Sequence, residues 1–128
     1  MPQQSDPRAR GLQLAEQLHG GHVGQAMIDE MSEVCPDFAD MTLEWALAGI
    51  MGRPGLELLI REFLLVAACV TLGNAEPQLK AHLDSARKLG ASREQVNEVI
   101  LTLLFYAGGP AVRNALLTAH QVFSAPKG

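Results

Sequence analysis

The chain has 128 residues, 48% of them apolar and only 5% aromatic, and a formal net charge of −4. That length suits a single domain over residues 1–128, with a core built from Leu, Val, Ile, Met and Ala. The acidic balance without a basic stripe argues against a nucleic-acid partner, Met1 to Gly11 is too polar for a secretory signal, and the longest uncharged apolar run, Phe63 to Leu72, is too short to span a bilayer; no membrane partner and a cytoplasmic location are expected.

Asp6-Pro7 reads as a helix start, with Asp as N-cap and Pro in the first turn. This helix is predicted to run to about His19 and to stop at Gly20-Gly21. A second covers about Val23 to Val34 and ends before Pro36. Pro36-Asp37 opens a third, with Phe38, Met41, Leu43 and Trp45 among its apolar positions. Gly49 to Gly55, with three glycines and Pro54, reads as a loop. The helix after it, about Leu56 to Leu72, is apolar on nearly every side. Such a helix belongs in the middle of a core or inside an oligomer interface.

Gly73 ends that helix and Ala75-Glu76-Pro77 starts the next, with Gly90 at its C-terminal cap. Ser92-Arg93-Glu94-Gln95 is a capping box opening a helix to about Ala107. Gly108-Gly109-Pro110 breaks it, and a last helix covers about Ala111 to Phe123. No stretch alternates at period two, so the fold class is all-α, with six to seven helices and no sheet.

Few residues offer chemistry. Arg61 and Glu62 are the only charges in the central helix beyond its first turn. Either they pair with other helices or reach water, or Glu62 lines a pocket as a proton carrier. His82 shares a helical face with Leu79, Leu83, Ala86 and Leu89, so it points inward. It is then a hydrogen-bonded core residue or a proton-transfer group, for which an imidazole suits neutral pH. Tyr106 is expected to be buried with a hydrogen-bond partner, and Trp45 to pack in the core. Arg53, in the glycine-rich loop, is a solvated arginine or a carboxylate clamp. Cys69 reads as inert packing in the central helix. The two cysteines, Cys35 and Cys69, make neither a disulfide framework nor a zinc site, so reduced thiols and no metal are expected. Nucleophile-elbow, P-loop and dinucleotide glycine patterns are absent.

Arg53-Pro54-Gly55-Leu56-Glu57, Arg61-Glu62-Phe63-Leu64, Leu79-Lys80-Ala81-His82, Tyr106-Ala107-Gly108-Gly109-Pro110-Ala111 and Asn114-Ala115 stand in the order and spacing of a known pattern. From about Asp37 to Phe123 the chain resembles the carboxymuconolactone decarboxylase family. The resemblance implies an alkylhydroperoxidase D-like orthogonal bundle, a homo-oligomer (a trimer or hexamer), and decarboxylation of a small organic acid without any cofactor. It implies His82 as proton donor with Glu62 beside it, and Arg61, Arg53, Trp45 and Tyr106 as substrate contacts. A sister family reduces peroxides through a Cys-x-x-Cys whose positions fall here on Ala75 and Gln78. Without those thiolates, thiol-dependent peroxidase activity is not expected.

Decarboxylases of the family often carry aromatic residues where Leu47 and Met51 stand, basic and threonine-like residues at Leu59 and Ile60, and a basic residue at Asp84. Each difference removes polarity or positive charge, which points to a larger or more apolar substrate from a secondary or aromatic degradative pathway. Two other readings stay open: a non-catalytic oligomer that binds a small ligand or partner, and a helical interaction module with no pocket.

Overall fold

The computed structural model describes residues 6–19 and 24–126, and the chain divides into two compact units, Met1–Leu58 and Leu59–Gly128. The described residues are all-α, as expected, with no strand and no helix long and apolar enough to cross a membrane.

In the first unit, α1 (Pro7–His19), α2 (Gly24–Met31) and α3 (Pro36–Met41) are followed without a break by a π-helix over Thr42–Met51. Asp6 caps α1 as expected, its Oδ1 accepting from the Ala9 N–H at 3.2 Å. The second helix stops at Met31, short of the expected Val34. The expected Gly20-Gly21 stop and Val23 start lie outside the described residues. The loop expected from Gly49 begins three residues later. The π-helix runs through Gly49, and the Gly52 N–H donates to the Leu47 carbonyl five residues back at 2.9 Å.

The wider turn explains which side chains go in. Leu43, Leu47 and Met51 recur every fourth residue and are buried. Trp45 falls midway between Leu43 and Leu47, so it faces the other way and is 68% exposed. The expectation that Trp45 packs in the core is therefore corrected. Across from this face, α1 buries Gly11, Ala15 and Leu18. At Gly11 the two backbones nearly touch: a Cβ there would lie 1.9 Å from the Leu43 carbonyl oxygen. Arg8 reaches from α1 to Asp40 of α3 at 2.9 Å. Both side chains are half-exposed, so the pair is worth under about 1 kcal/mol.

The second unit holds α4 (Leu58–Leu72), α5 (Glu76–Lys88), α6 (Arg93–Thr102), a 3₁₀ turn (Leu103–Phe105) and α7 (Gly109–Ser124). Its core joins Val66 and Val70 of α4, Leu79, Leu83 and Ala86 of α5, Val96 and Ile100 of α6, and Val112, Ala115 and Ala119 of α7. The Ser92–Gln95 capping box forms with both bonds at 3.0 Å. Gly73 and Gly90 take the positive φ that ends α4 and α5. Arg87 donates to the Val122 carbonyl at 2.7 Å with its guanidinium 5.8 Å from the Phe123 ring centre, fastening the end of α7 to α5.

The helix expected to reach Ala107 stops at Thr102 and tightens into the 3₁₀ turn. Val96 and Ile100 face inward, and Leu103 and Ala107 pack against the same core. Tyr106, one position before Ala107, is turned out and 96% exposed. The sequence reading of a buried phenol is corrected by this one-residue offset. On α4, only one stripe is buried, while Ile60, Leu64 and Leu72 are exposed.

Candidate active site

The buried stripe of α4 is Glu62, Val66 and Val70, spaced by four. That register carries Glu62 into the core, since two valines on its own face fix which side of the helix is inside. Glu62 is fully buried. On α5, Leu79, Leu83 and Ala86 define the inward side, and His82 stands between them. Its Nδ1 lies 2.8 Å from Oε1 of Glu62. The His82 side chain keeps 21% of its surface exposed. One end of the pair is therefore interior and the other reaches toward solvent.

With Nδ1–H donating to the carboxylate, Nε2 is the nitrogen that can take up or give back a proton in the imidazole–imidazolium cycle. The carboxylate fixes the ring's orientation. Oε2 of Glu62 is buried and has no hydrogen-bond partner. An acceptor left open costs about 1–3 kcal/mol, and functional sites are where such costs are commonly retained.

The other expected contacts are placed as follows. Arg61 sits beside Glu62 on α4, one position off the buried stripe and half-buried. Tyr106 stands exposed just after the 3₁₀ turn. Trp45 and Arg53 belong to the first unit, both exposed. Asp84, where the family tends to carry a basic residue, pairs with Lys88 at 3.2 Å.

A groove of about 310 Å³ runs between α4, α5 and α7, lined among others by Cys69, Leu79, Asn114, Thr118 and Gln121. Neither His82 nor Glu62 lines it. The groove begins at Leu79, one helical turn from His82. Sequence reading passed over Thr118 and Gln121. Asn114, Thr118 and Gln121, spaced by four and three, make a polar stripe on α7 that periodicity alone would have revealed.

Cys69, which lines this groove, is held unreactive by its surroundings, in keeping with its reading as inert packing. Burial, and then the nearby charge of Glu62, push its thiol up from the ordinary range. A raised thiol holds less thiolate at a given pH and reacts more slowly. In a Cys35→Ser background, Cys69 is expected to alkylate with iodoacetamide more slowly than free cysteine at pH 8. Glu62→Gln removes the smaller of the two causes and is expected to speed the reaction. Equal rates with and without the carboxylate would show that Glu62 exerts no field on the thiol. Among the described residues no cluster of metal-ligating side chains occurs.

A profile of the carboxymuconolactone decarboxylase family matches residues 36–121, which span both members of the pair. The chain is 27% identical over 114 residues to the 4-carboxymuconolactone decarboxylase of Acinetobacter baylyi, covering 89% of this chain and 84% of that one. It is 30% identical over 95 residues to an uncharacterized 15.0 kDa protein from the nqo9-nqo10 intergenic region of Paracoccus denitrificans, covering 73% and 71% of the two chains. The helical fold and a match over most of its length place this chain in the carboxymuconolactone decarboxylase family.

Proposed function

We propose that the protein is a carboxy-lyase acting on a small lactone or aromatic-derived organic acid, with His82 as the proton donor and Glu62 as its positioning partner. The single observation that supports this most is the 2.8 Å contact between an imidazole that keeps about a fifth of its surface exposed and a fully buried carboxylate. In the proposed reaction the bond from the ring carbon to the carboxylate breaks. Carbon dioxide leaves, and the electron pair stays on the lactone as a delocalised enolate. The imidazolium of His82 then delivers its Nε2 proton to carbon, and solvent restores it. Arg61 is the nearest cation in sequence to the pair and is assigned to steadying the anion.

The relative from Acinetobacter baylyi carries the name of such an activity, and the family match supports the same reaction class. The losses of polarity at Leu59 and Ile60 and of positive charge at Asp84 favour a substrate larger or less charged than a doubly anionic butenolide. The exposed Ile60, Leu64 and Leu72 of α4 support assembly as a homo-oligomer, a trimer or hexamer. A second reading, a non-catalytic binder of small ligands, is favoured by one observation: the groove excludes both members of the pair.

The purified protein assayed against a panel of carboxylated lactones and aromatic acids decides between them. The enzyme reading expects carbon dioxide release together with uptake of one solvent deuteron at the carbon that lost it. Binding of panel members without turnover of any would leave only the binding protein.

A further inference from the structure

The groove between α4, α5 and α7 has a chemistry of its own. Its walls present Val70, Leu79, Ala111, Ala115 and Leu117, and its polar groups are the amides of Asn114 and Gln121, the Thr118 hydroxyl and the Cys69 thiol. The one charged side chain is Glu76, a carboxylate, and no lysine, arginine or histidine lines it. Thr118 already donates to the Asn114 carbonyl at 3.1 Å. A ligand therefore finds amide donors and acceptors, apolar walls and no counter-ion for an anion. At about 310 Å³ the space is at the small end of ligand sites.

Two features tie the groove to the acid–base pair. Leu79 of the wall and His82 lie on one face of α5, a single helical turn apart. Cys69 of the wall lies on the face of α4 that carries Glu62, and its thiol is pushed up in part by the Glu62 charge. The groove thus opens along both helices that build the pair.

We propose that this groove holds the uncharged, extended body of the substrate, an alkyl or neutral oxygen-bearing chain, while the carboxylated ring is presented to His82. The inference rests on the enzyme reading above and deepens it. The substrate has one anionic end that reacts and a neutral tail several carbons long, laid against Leu79, Ala111 and Ala115 with its polar atoms meeting Asn114 and Gln121.

Neutral γ-lactones stand in for a decarboxylated product, so γ-valerolactone, γ-heptalactone and γ-nonalactone form the probe series. Calorimetric titration of the wild-type protein should give affinity rising by roughly fourfold per added methylene until the groove is full. The side-chain amide NMR signals of Asn114 and Gln121 should move on binding. Gln121→Trp, at an exposed position on the rim, should abolish the dependence on chain length without disturbing the core. As a second blocking variant, Ala111→Phe should do the same.

Affinity independent of chain length would overturn the proposal, as would a dependence that survives both blocking variants. So would sedimentation showing that Gln121→Trp splits an oligomer, since a second copy would then occupy the groove. The enzyme reading is judged separately on His82→Gln. Retained lactone binding with no decarboxylation in any protein leaves a groove without the reaction. Decarboxylation that ignores tail length leaves the reaction without the groove.

Discussion

A His82→Gln variant is expected to stay folded and to lose about a hundredfold or more in turnover. Glutamine keeps an N–H that can reach Oε1 of Glu62, so the buried carboxylate retains a partner while the titrating ring is gone. Glu62→Gln is expected to lose a similar factor by another route. It keeps an acceptor for Nδ1–H but removes the negative charge beside the ring. Its signature is a changed pH–rate profile in addition to a lower kcat, which loss of packing alone would not produce. His82→Ala is a poorer probe of chemistry. It strands a fully buried carboxylate, and breaking a buried pair from one side costs about 3–5 kcal/mol. Denaturant titration should therefore separate the alanine variant from the glutamine one clearly. Unchanged turnover in both glutamine variants would remove the proposed site.

The second large effect belongs to the first unit. Gly11→Ala places a Cβ 1.9 Å from the Leu43 carbonyl oxygen, far inside van der Waals contact. The obstacle is backbone, so no rotamer change relieves it. Helix α1 must move off the π-helix, and the contacts of Ala15 and Leu18 go with it. Such overpacking is expected to cost about 3 kcal/mol or more, although alanine is otherwise the better helix former by about 1 kcal/mol. A lowered thermal midpoint for the first-unit signals, followed by the fluorescence of Trp45, checks this. A midpoint at or above the wild-type value would mean that the close approach does not hold in solution.

The helices of the second unit were legible because their punctuation is chemical. Gly73, Gly90, the Ser92–Gln95 box and Gly108-Gly109-Pro110 each mark a boundary that propensity alone would blur. The inward turn of His82 was legible too, from its neighbours Leu79, Leu83 and Ala86. What could not be read was its distance from Glu62. The two residues lie 20 apart in sequence, and only tertiary packing closes the gap to 2.8 Å. Trp45 and Tyr106 failed for a shared reason: each was judged by size and aromaticity, while burial was decided by register. Trp45 sits half a turn from Leu43 and Leu47, and Tyr106 sits one residue short of Ala107. Glycine also misled at Gly49, where the backbone widened into a π-helix instead of breaking. The groove is not legible residue by residue, because Asn114, Thr118 and Gln121 gain meaning only together, as a stripe on α7.

The interior acid has a cost for cohesion. Had α4 carried a methionine or leucine where Glu62 stands, with an apolar partner facing it, the second unit would hold together as well or better, by up to about 4 kcal/mol. A protein serving only as a scaffold gains nothing from an ionisable side chain at its centre. If His82 and Glu62 relay hydrogen ions as proposed, thermal robustness and that relay are opposed in this molecule, and attempts to harden it by greasing its middle would be expected to silence it.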